Sequence, residues 1–151
     1  MKSLRTKYQS ISANVVFLCH DGAGQFLMSL RGENTRDNHG LWDPGSGEIA
    51  VGETSAQALK RELGEEYGVS ARDTQLLGVR ENVNSDSHWI TFEYLVLVDR
   101  DAVLNNEPHK LIQLSWFSLA DLPLDQAHPL FSLLVKDYYS TLDALSPVSA
   151  R

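Results

Sequence analysis

Three carboxylates, Glu62, Glu65 and Glu66, stand at i, i+3 and i+4, a spacing that gathers them on one face of a helix. Like charges four residues apart, here Glu62 and Glu66, destabilise an isolated helix by roughly 0.2–0.5 kcal/mol, so helix propensity alone does not account for the cluster. Carboxylate oxygens are what a hard divalent cation such as Mg²⁺ requires, and binding one offsets the repulsion. A solvated acidic face is the commoner meaning of such a run. Three features stand against it here: a Gly-rich turn before the helix, Glu53 at the end of that turn, and Arg61 interrupting the acids. Arg61 is placed to hold Glu53 by a charge-assisted bond and so to pin the turn to the helix.

The helix that carries these acids has readable ends. Thr54 followed by Gln57 forms a capping box and starts it. Gly68 suits a left-handed C′ position and stops it after about Tyr67. Ala56, Leu59, Leu63 and Tyr67 share a face at helical spacing and are expected to pack on a core. Gly64 inside the helix costs about 1 kcal/mol relative to Ala, and the sequence offers no functional reason for it.

Taken together, the stretch reads Gly47, five residues, Glu53, seven residues, Arg61-Glu62-Leu63, one residue, Glu65-Glu66, one residue, Gly68-Val69. This resembles the Nudix box of the Nudix hydrolase superfamily, with every defining position filled. A weaker likeness to the branch acting on nucleoside triphosphates lies in Glu107-Pro108-x-Lys110, Trp116, Leu122-Pro123 and the segment His88-Trp89-Ile90-Thr91-Phe92, so the resemblance spans roughly residues 11–140. Two positions depart from the usual pattern. Gly45 and Ser46 stand where Pro-Gly is common before the box, and Ala50 takes a place where Glu is frequent.

The resemblance implies an α/β (α+β) Nudix fold, a mixed β-sheet sandwiched between α-helices, in a single domain over residues 1–151. It implies hydrolysis of a diphosphate linkage in a small nucleotide, a nucleoside diphosphate joined to some group X, with Mg²⁺ (or Mn²⁺) as cofactor. The leading expectation is a nucleoside triphosphate cleaved to monophosphate and pyrophosphate. The alternatives are an ADP-ribose or dinucleotide pyrophosphatase, and a non-catalytic nucleotide-sensing Nudix domain. An isoprenoid diphosphate isomerase fits the intact box poorly. By the same likeness, Glu65 and Glu66 bridge metal ions, Glu62 ligates and in some members acts as base, and the backbone carbonyl of Ser46 completes a shell. Glu53 and Arg61 organise the loop. One further ligand or base from outside the box is expected, with Glu107 the first candidate and Glu93 the second. Relatives of this kind often form homodimers, and the sequence leaves the oligomeric state open.

The 151 residues are 42% hydrophobic, enough for one core, and carry a net charge of −7. That charge argues against a basic surface for polymeric nucleic acid. The single Cys19 excludes an internal disulfide, fits a reducing compartment, and lies in an apolar run, where it reads as a buried structural thiol. With no apolar leader and no stretch long enough to span a bilayer, the expected location is cytoplasmic, without membrane partners. Strands are expected over 11–20 and 25–31, joined by Asp21-Gly22-Ala23-Gly24, and over 74–83 and 89–99, joined by Asn84-Ser85-Asp86-Ser87, with a short one over 114–117. An amphipathic helix is expected from Pro129 to about Leu142, with Leu130, Leu133, Leu134, Tyr138 and Leu142 inward, followed by a polar tail from 145. Residues 1–9 read as frayed or as an added edge. Arg31 at a strand end and Arg36 in the following loop are candidate substrate contacts, a solvated strand end being the alternative for Arg31. His88 and Trp89 could hold a nucleobase or simply pack. Glu93, an acid among apolar neighbours, could face the site or be a hydrogen-bonded structural acid. Trp42 reads as core.

Overall fold

A computed structural model describes residues 10–35 and 37–147. The expectations for residues 1–9, for Arg36 and for the end of the tail lie outside the described residues. Strand β1 (Ser12–His20) is the spine of a seven-stranded mixed sheet. Along its whole length it runs parallel to β6 (His88–Leu97), whose other edge pairs antiparallel with β5 (Asp73–Val83). The opposite edge of β1 is shared. Asn14–Phe17 pair with β4 (Gly45–Glu48), and His20 meets β2 (Gln25–Arg31), which in turn carries β3 (Trp42–Asp43) and β7 (Leu111–Ser118).

The hairpins close as the sequence predicts. Gly22 and Gly24 take φ of 78° and 87°, a region that costs glycine little, and Asp21 Oδ1 accepts from the backbone N–H groups of Ala23 and Gln25. In the second hairpin Asn84 Oδ1 accepts from the N–H groups of Asp86 and Ser87.

Because strand side chains alternate, β1 feeds two cores. Val15, Phe17 and Cys19 face α1 (Ser55–Tyr67) and pack with Ala58, Leu59, Leu63 and Tyr67. The Phe17 and Tyr67 rings meet edge to face at 6.0 Å. Leu18 faces the other way, with Phe26, Met28 and Leu95, against α2 (Pro129–Asp137) and α3 (Tyr139–Asp143). The sheet is therefore sandwiched between helices, as expected. At the ends of α1 both halves of the Thr54–Gln57 capping box form, and Gly68 sits at φ 64° with its N–H donating to the Gly64 carbonyl.

Several local expectations shift. Ala56 is exposed and Ala58 is buried in its place, since Ala58 shares the stripe of Leu59 and Leu63. The long C-terminal helix breaks at Tyr138, which leaves helical geometry at φ −114° and ψ 20°. Its inner face is filled by Phe131, Leu134 and Val135, while Leu133 is 42% exposed. β7 runs Leu111–Ser118 rather than four residues, because β2 offers it partners along its whole length. β6 stops at Leu97, and Asp99 instead caps a 3-10 turn by accepting from Asp101 N.

Two glycines have opposite surroundings. A Cβ on Gly45 would lie 1.9 Å from the Phe17 ring, whereas one on Gly64 would meet nothing within 4 Å. Gly45→Ala is expected to destabilise the fold by about 1–3 kcal/mol through overpacking. Gly64→Ala is expected to stabilise it by about 0.5–1 kcal/mol through helix propensity. Urea midpoints at unchanged m-value would check both, and a neutral Gly45→Ala would show that the β4–β1 contact is looser than it stands.

Candidate active site

The box helix is tied to its preceding loop through one side chain. Arg61 Nε and Nη2 donate to Glu53 Oε2 and Oε1 at 2.8 and 2.9 Å, Nη1 donates to Glu62 Oε1 at 2.7 Å and to Glu65 Oε2 at 3.3 Å, and Nη2 also reaches the Glu48 carbonyl at 3.0 Å. A guanidinium has five N–H groups, and each has an acceptor here. Glu53 also receives Ala50 N at 3.0 Å. The Arg61 and Ala50 bonds hold its carboxyl down at about 2. Folded-state depression of this kind adds stability above the ordinary carboxylate range and loses it as pH falls toward about 2.

β4 brings the loop backbone against the acids. A Cβ on Gly47 would lie 2.1 Å from the Glu62 carboxyl carbon, so only glycine lets β4 lie this close to α1. Burial pushes Glu62 up, opposed by Arg61 and assisted by Glu65 and Glu107. Glu66 is pushed up further, by burial first and then by the charges of Glu62 and Glu107, with the Ser46 N–H and Arg31 pulling the other way.

The loop after β6 then closes on the C-terminal end of α1, where helix carbonyls need partners. Leu104 N donates to Tyr67 O and Asn106 N to Glu66 O, each at 3.0 Å, while Asn106 Nδ2 donates to Gly64 O at 3.1 Å. This capping delivers Glu107 to the acids. Glu62, Glu65, Glu66 and Glu107, with Ser46 and Lys110, line one cavity of about 570 Å³. Lys110 Nζ stands 3.8 Å from Glu107 Oε2.

A second cavity of about 490 Å³ opens on the α2 side of the sheet and shares Arg31, Ser46, Gly47 and Glu48 with the first. Arg31, 16% exposed, is held by Asp37 at 3.0 Å and stands 3.8 Å from Asp43. Burial pushes Asp43 up to about 6 in spite of that cation. Trp89 and Glu93 line this second cavity. Glu93 is 3% exposed, with Arg80 Nε donating to Oε2 at 3.1 Å and the Tyr138 hydroxyl to Oε1 at 3.4 Å. It is thus a hydrogen-bonded acid apart from the box carboxylates. His88 lies outside the lining of both cavities, its Nε2 2.7 Å from Glu81 Oε2. Trp42 packs edge to face on Phe117 at 5.3 Å. Arg36 is not among the described residues.

Sequence reading missed Asn14, Arg80 and Thr91, which line the second cavity. The available signal was a polar side chain at the alternating positions of otherwise apolar strands. Glu65 was expected on the metal face, and Arg61 Nη1 now holds it together with Glu62. Among the described residues no three His, Cys, Asp or Glu side chains converge as a chelate. The donor set still suits a hard divalent ion: four carboxylates beside a backbone strand, two of them driven up by burial and mutual repulsion.

Comparison with known proteins points one way. The NUDIX domain model matches residues 10–136. A MutT NUDIX hydrolase from Burkholderia pseudomallei is similar at 25% identity and TM-score 0.67, over 76% of this chain and 88% of that one. A MutT protein from Methanosarcina mazei Go1 is similar at 25% identity and TM-score 0.69, over 89% and 94%. The fold is also shared, at 20% identity and TM-score 0.65, with a chain from work on MutT of Aliivibrio salmonicida and Vibrio cholerae, over 90% and 97%. No curated protein matches closely enough to count as a relative.

Gly47→Ala places a methyl group where the Glu62 carboxyl now lies. Titration calorimetry with Mn²⁺ is expected to show binding weakened by about 10-fold or more, the scale of lost ligand orientation, while the circular dichroism spectrum is retained. Unchanged affinity would show that Glu62 has room to relocate.

Proposed function

The chain belongs to the NUDIX domain family, and on that premise we propose that it cleaves a nucleoside triphosphate to the monophosphate and pyrophosphate with the help of Mg²⁺ or Mn²⁺. It is a Nudix hydrolase of the MutT type, acting on pyrophosphate bonds. The family acts on small nucleotides and generally uses a divalent metal. One observation carries the finer reading: the acidic cavity and the polar cavity with Trp89 have Arg31, Ser46, Gly47 and Glu48 in common in their walls. A charged phosphate tail beside the acids and a base beside Trp89 would then meet at Arg31 and β4.

Glu62, Glu65, Glu66 and the Ser46 carbonyl would hold the ion, Glu62 and Glu65 exchanging Arg61 Nη1 for it. A bound divalent ion neutralises phosphate oxygens and lowers the pKa of a bound water. Arg31, at the junction of the two cavities, is the residue we assign to the phosphate chain. Glu107 is assigned as proton acceptor, since a general base must lie within reach of the attacking water and it shares the cavity of the box acids. Glu93 has both oxygens engaged by Arg80 and Tyr138, which removes it from that role. In the reaction a water oxygen bonds to phosphorus, its proton passes to the carboxylate, and the anhydride P–O bond breaks with pyrophosphate leaving. Arg61 and Glu53 act as positioning residues.

The test is product release from a panel of nucleoside triphosphates, ADP-ribose, dinucleotides and nucleotide sugars with Mg²⁺, run beside Glu65→Gln. Pyrophosphate release from triphosphates is expected, lost by about 10²-fold or more in the variant. AMP plus ribose 5-phosphate from ADP-ribose would replace this reading, and nucleotide binding without turnover would favour a sensor. Carboxyl groups held above their ordinary range, as at Glu62 and Glu66, stay protonated to higher pH and must ionise before they ligate a metal. Activity should therefore rise from acid toward alkaline pH and vanish in excess chelator. A flat profile, or full activity in chelator, would refute the assignment.

A further inference from the structure

Position 67 falls between Glu66 and Gly68, at a place the box pattern leaves open. Tyr67 fills it and belongs to the core under α1, 1% exposed, with its ring edge to face on Phe17 at 6.0 Å. A phenylalanine would pack there equally well, so the hydroxyl is the difference. Among the described residues, Tyr67 Oη is the one buried side-chain nitrogen or oxygen with no hydrogen-bond partner. Burying a hydroxyl unpaired costs stability, and a core tyrosine ordinarily finds a partner.

Its surroundings show what the hydroxyl serves. Burial first, then the charges of Glu66 and Cys19, push the phenol well above its ordinary pKa, so it stays a donor. Ser29 acts the other way, as a hydrogen-bonding neighbour whose bond is not closed. Ser29 is 2% exposed on β2, and its own hydrogen goes to the Asp43 carbonyl at 3.2 Å, which leaves Oγ as an acceptor. Ser29 lies opposite Asp43 in the β2–β3 pairing, and Arg31 stands 3.8 Å from the Asp43 carboxylate. On the helix side, the Glu66 and Tyr67 carbonyls hold Asn106 N and Leu104 N of the loop that brings Glu107. One residue therefore adjoins Glu66, the Glu107 loop and the strand bearing Arg31.

We propose that Tyr67 is a positioning residue of the metal centre, its hydroxyl donating to Ser29 Oγ when a divalent ion draws in Glu66. This rests on the reading of Glu66 as a metal ligand. On that reading Glu62 and Glu65 exchange Arg61 Nη1 for the ion, so the last turn of α1 is the part that adjusts. The chain from Tyr67 O–H to Ser29 O–H to the Asp43 carbonyl then fastens that turn to β2 and β3. The acids and Arg31 become one frame. An unpaired hydroxyl weakens the ion-free chain, and the same hydroxyl, once paired, favours the loaded one.

The experiment compares Tyr67→Phe with the wild-type chain in two measurements made without nucleotide: the thermal midpoint in chelator, and Mn²⁺ affinity by titration calorimetry. In chelator the variant's midpoint is expected to be unchanged or higher by about 2–4 °C, since an unpaired hydroxyl has been removed. Its Mn²⁺ affinity is expected to fall by about 3- to 10-fold, the worth of one hydrogen bond. A merely structural tyrosine gives the opposite pattern, a lower midpoint in chelator with affinity within about 2-fold of wild type, and either half of that pattern overturns the inference. Ser29→Ala tests the acceptor. It is expected to weaken Mn²⁺ binding to a similar degree, and the double variant to be no weaker than either single one. Additive losses overturn the Tyr67–Ser29 link. A wild-type chain that binds no Mn²⁺ removes the metal reading of the box, and this inference with it, whereas failure of Tyr67→Phe alone leaves that reading intact.

Discussion

Arg61 is the constraint on which the rest depends. One guanidinium joins Glu53 at the end of the loop, the Glu48 carbonyl of β4, and Glu62 and Glu65 on the helix. Charge-assisted, bidentate bonds of this kind fix geometry as well as charge. With this tie, β4 lies so close to α1 that position 47 has no room for a side chain. The same loop is anchored from the sheet side, where Gly45 lies against the Phe17 ring. The box is thus clamped between a core aromatic and a surface arginine.

The clamp leaves an electrostatic imbalance. Glu53 is fully answered by Arg61 and sits low, while Glu62 and Glu66 are driven up by burial and by their neighbours. A fold that keeps such groups together carries a standing cost, which a bound cation relieves. Lys110 and Arg31 soften it from the rim without cancelling it. The shape of the sheet then decides what else the acids can see. β1 is flanked by β4 on one edge and β6 on the other, and β4 supplies wall residues to the acidic cavity and to the cavity on the α2 side alike.

Much of this was legible in the sequence because it is local. The capping box, the stop at Gly68, the i, i+3, i+4 acids and the Arg61–Glu53 pairing are all relations within about two dozen residues, and local physics reads them well. Misread details are those where packing overrides pattern. Ala58, not Ala56, completes the buried stripe, and the C-terminal helix yields at Tyr138, whose hydroxyl donates to Glu93 on the face of the sheet that the helix covers.

The sequence by itself determined the box, its helix, the acids it displays and the loop it is tied to. Tertiary structure decided which outside acid joins them. Glu93 and Glu107 are both acids outside the box, one in the middle of a strand and one in a loop. Strand alternation turns Glu93 to the α2 face beside Arg80, away from the helix that bears the acids. Capping of the α1 carbonyls by Leu104 and Asn106 carries Glu107 to them. The partners of Arg80 were likewise decided only by folding, since Asp137 and Glu93 reach it from a helix and a neighbouring strand. Contacts between distant segments depend on register and on unmet backbone groups, and neither is written at the positions they join.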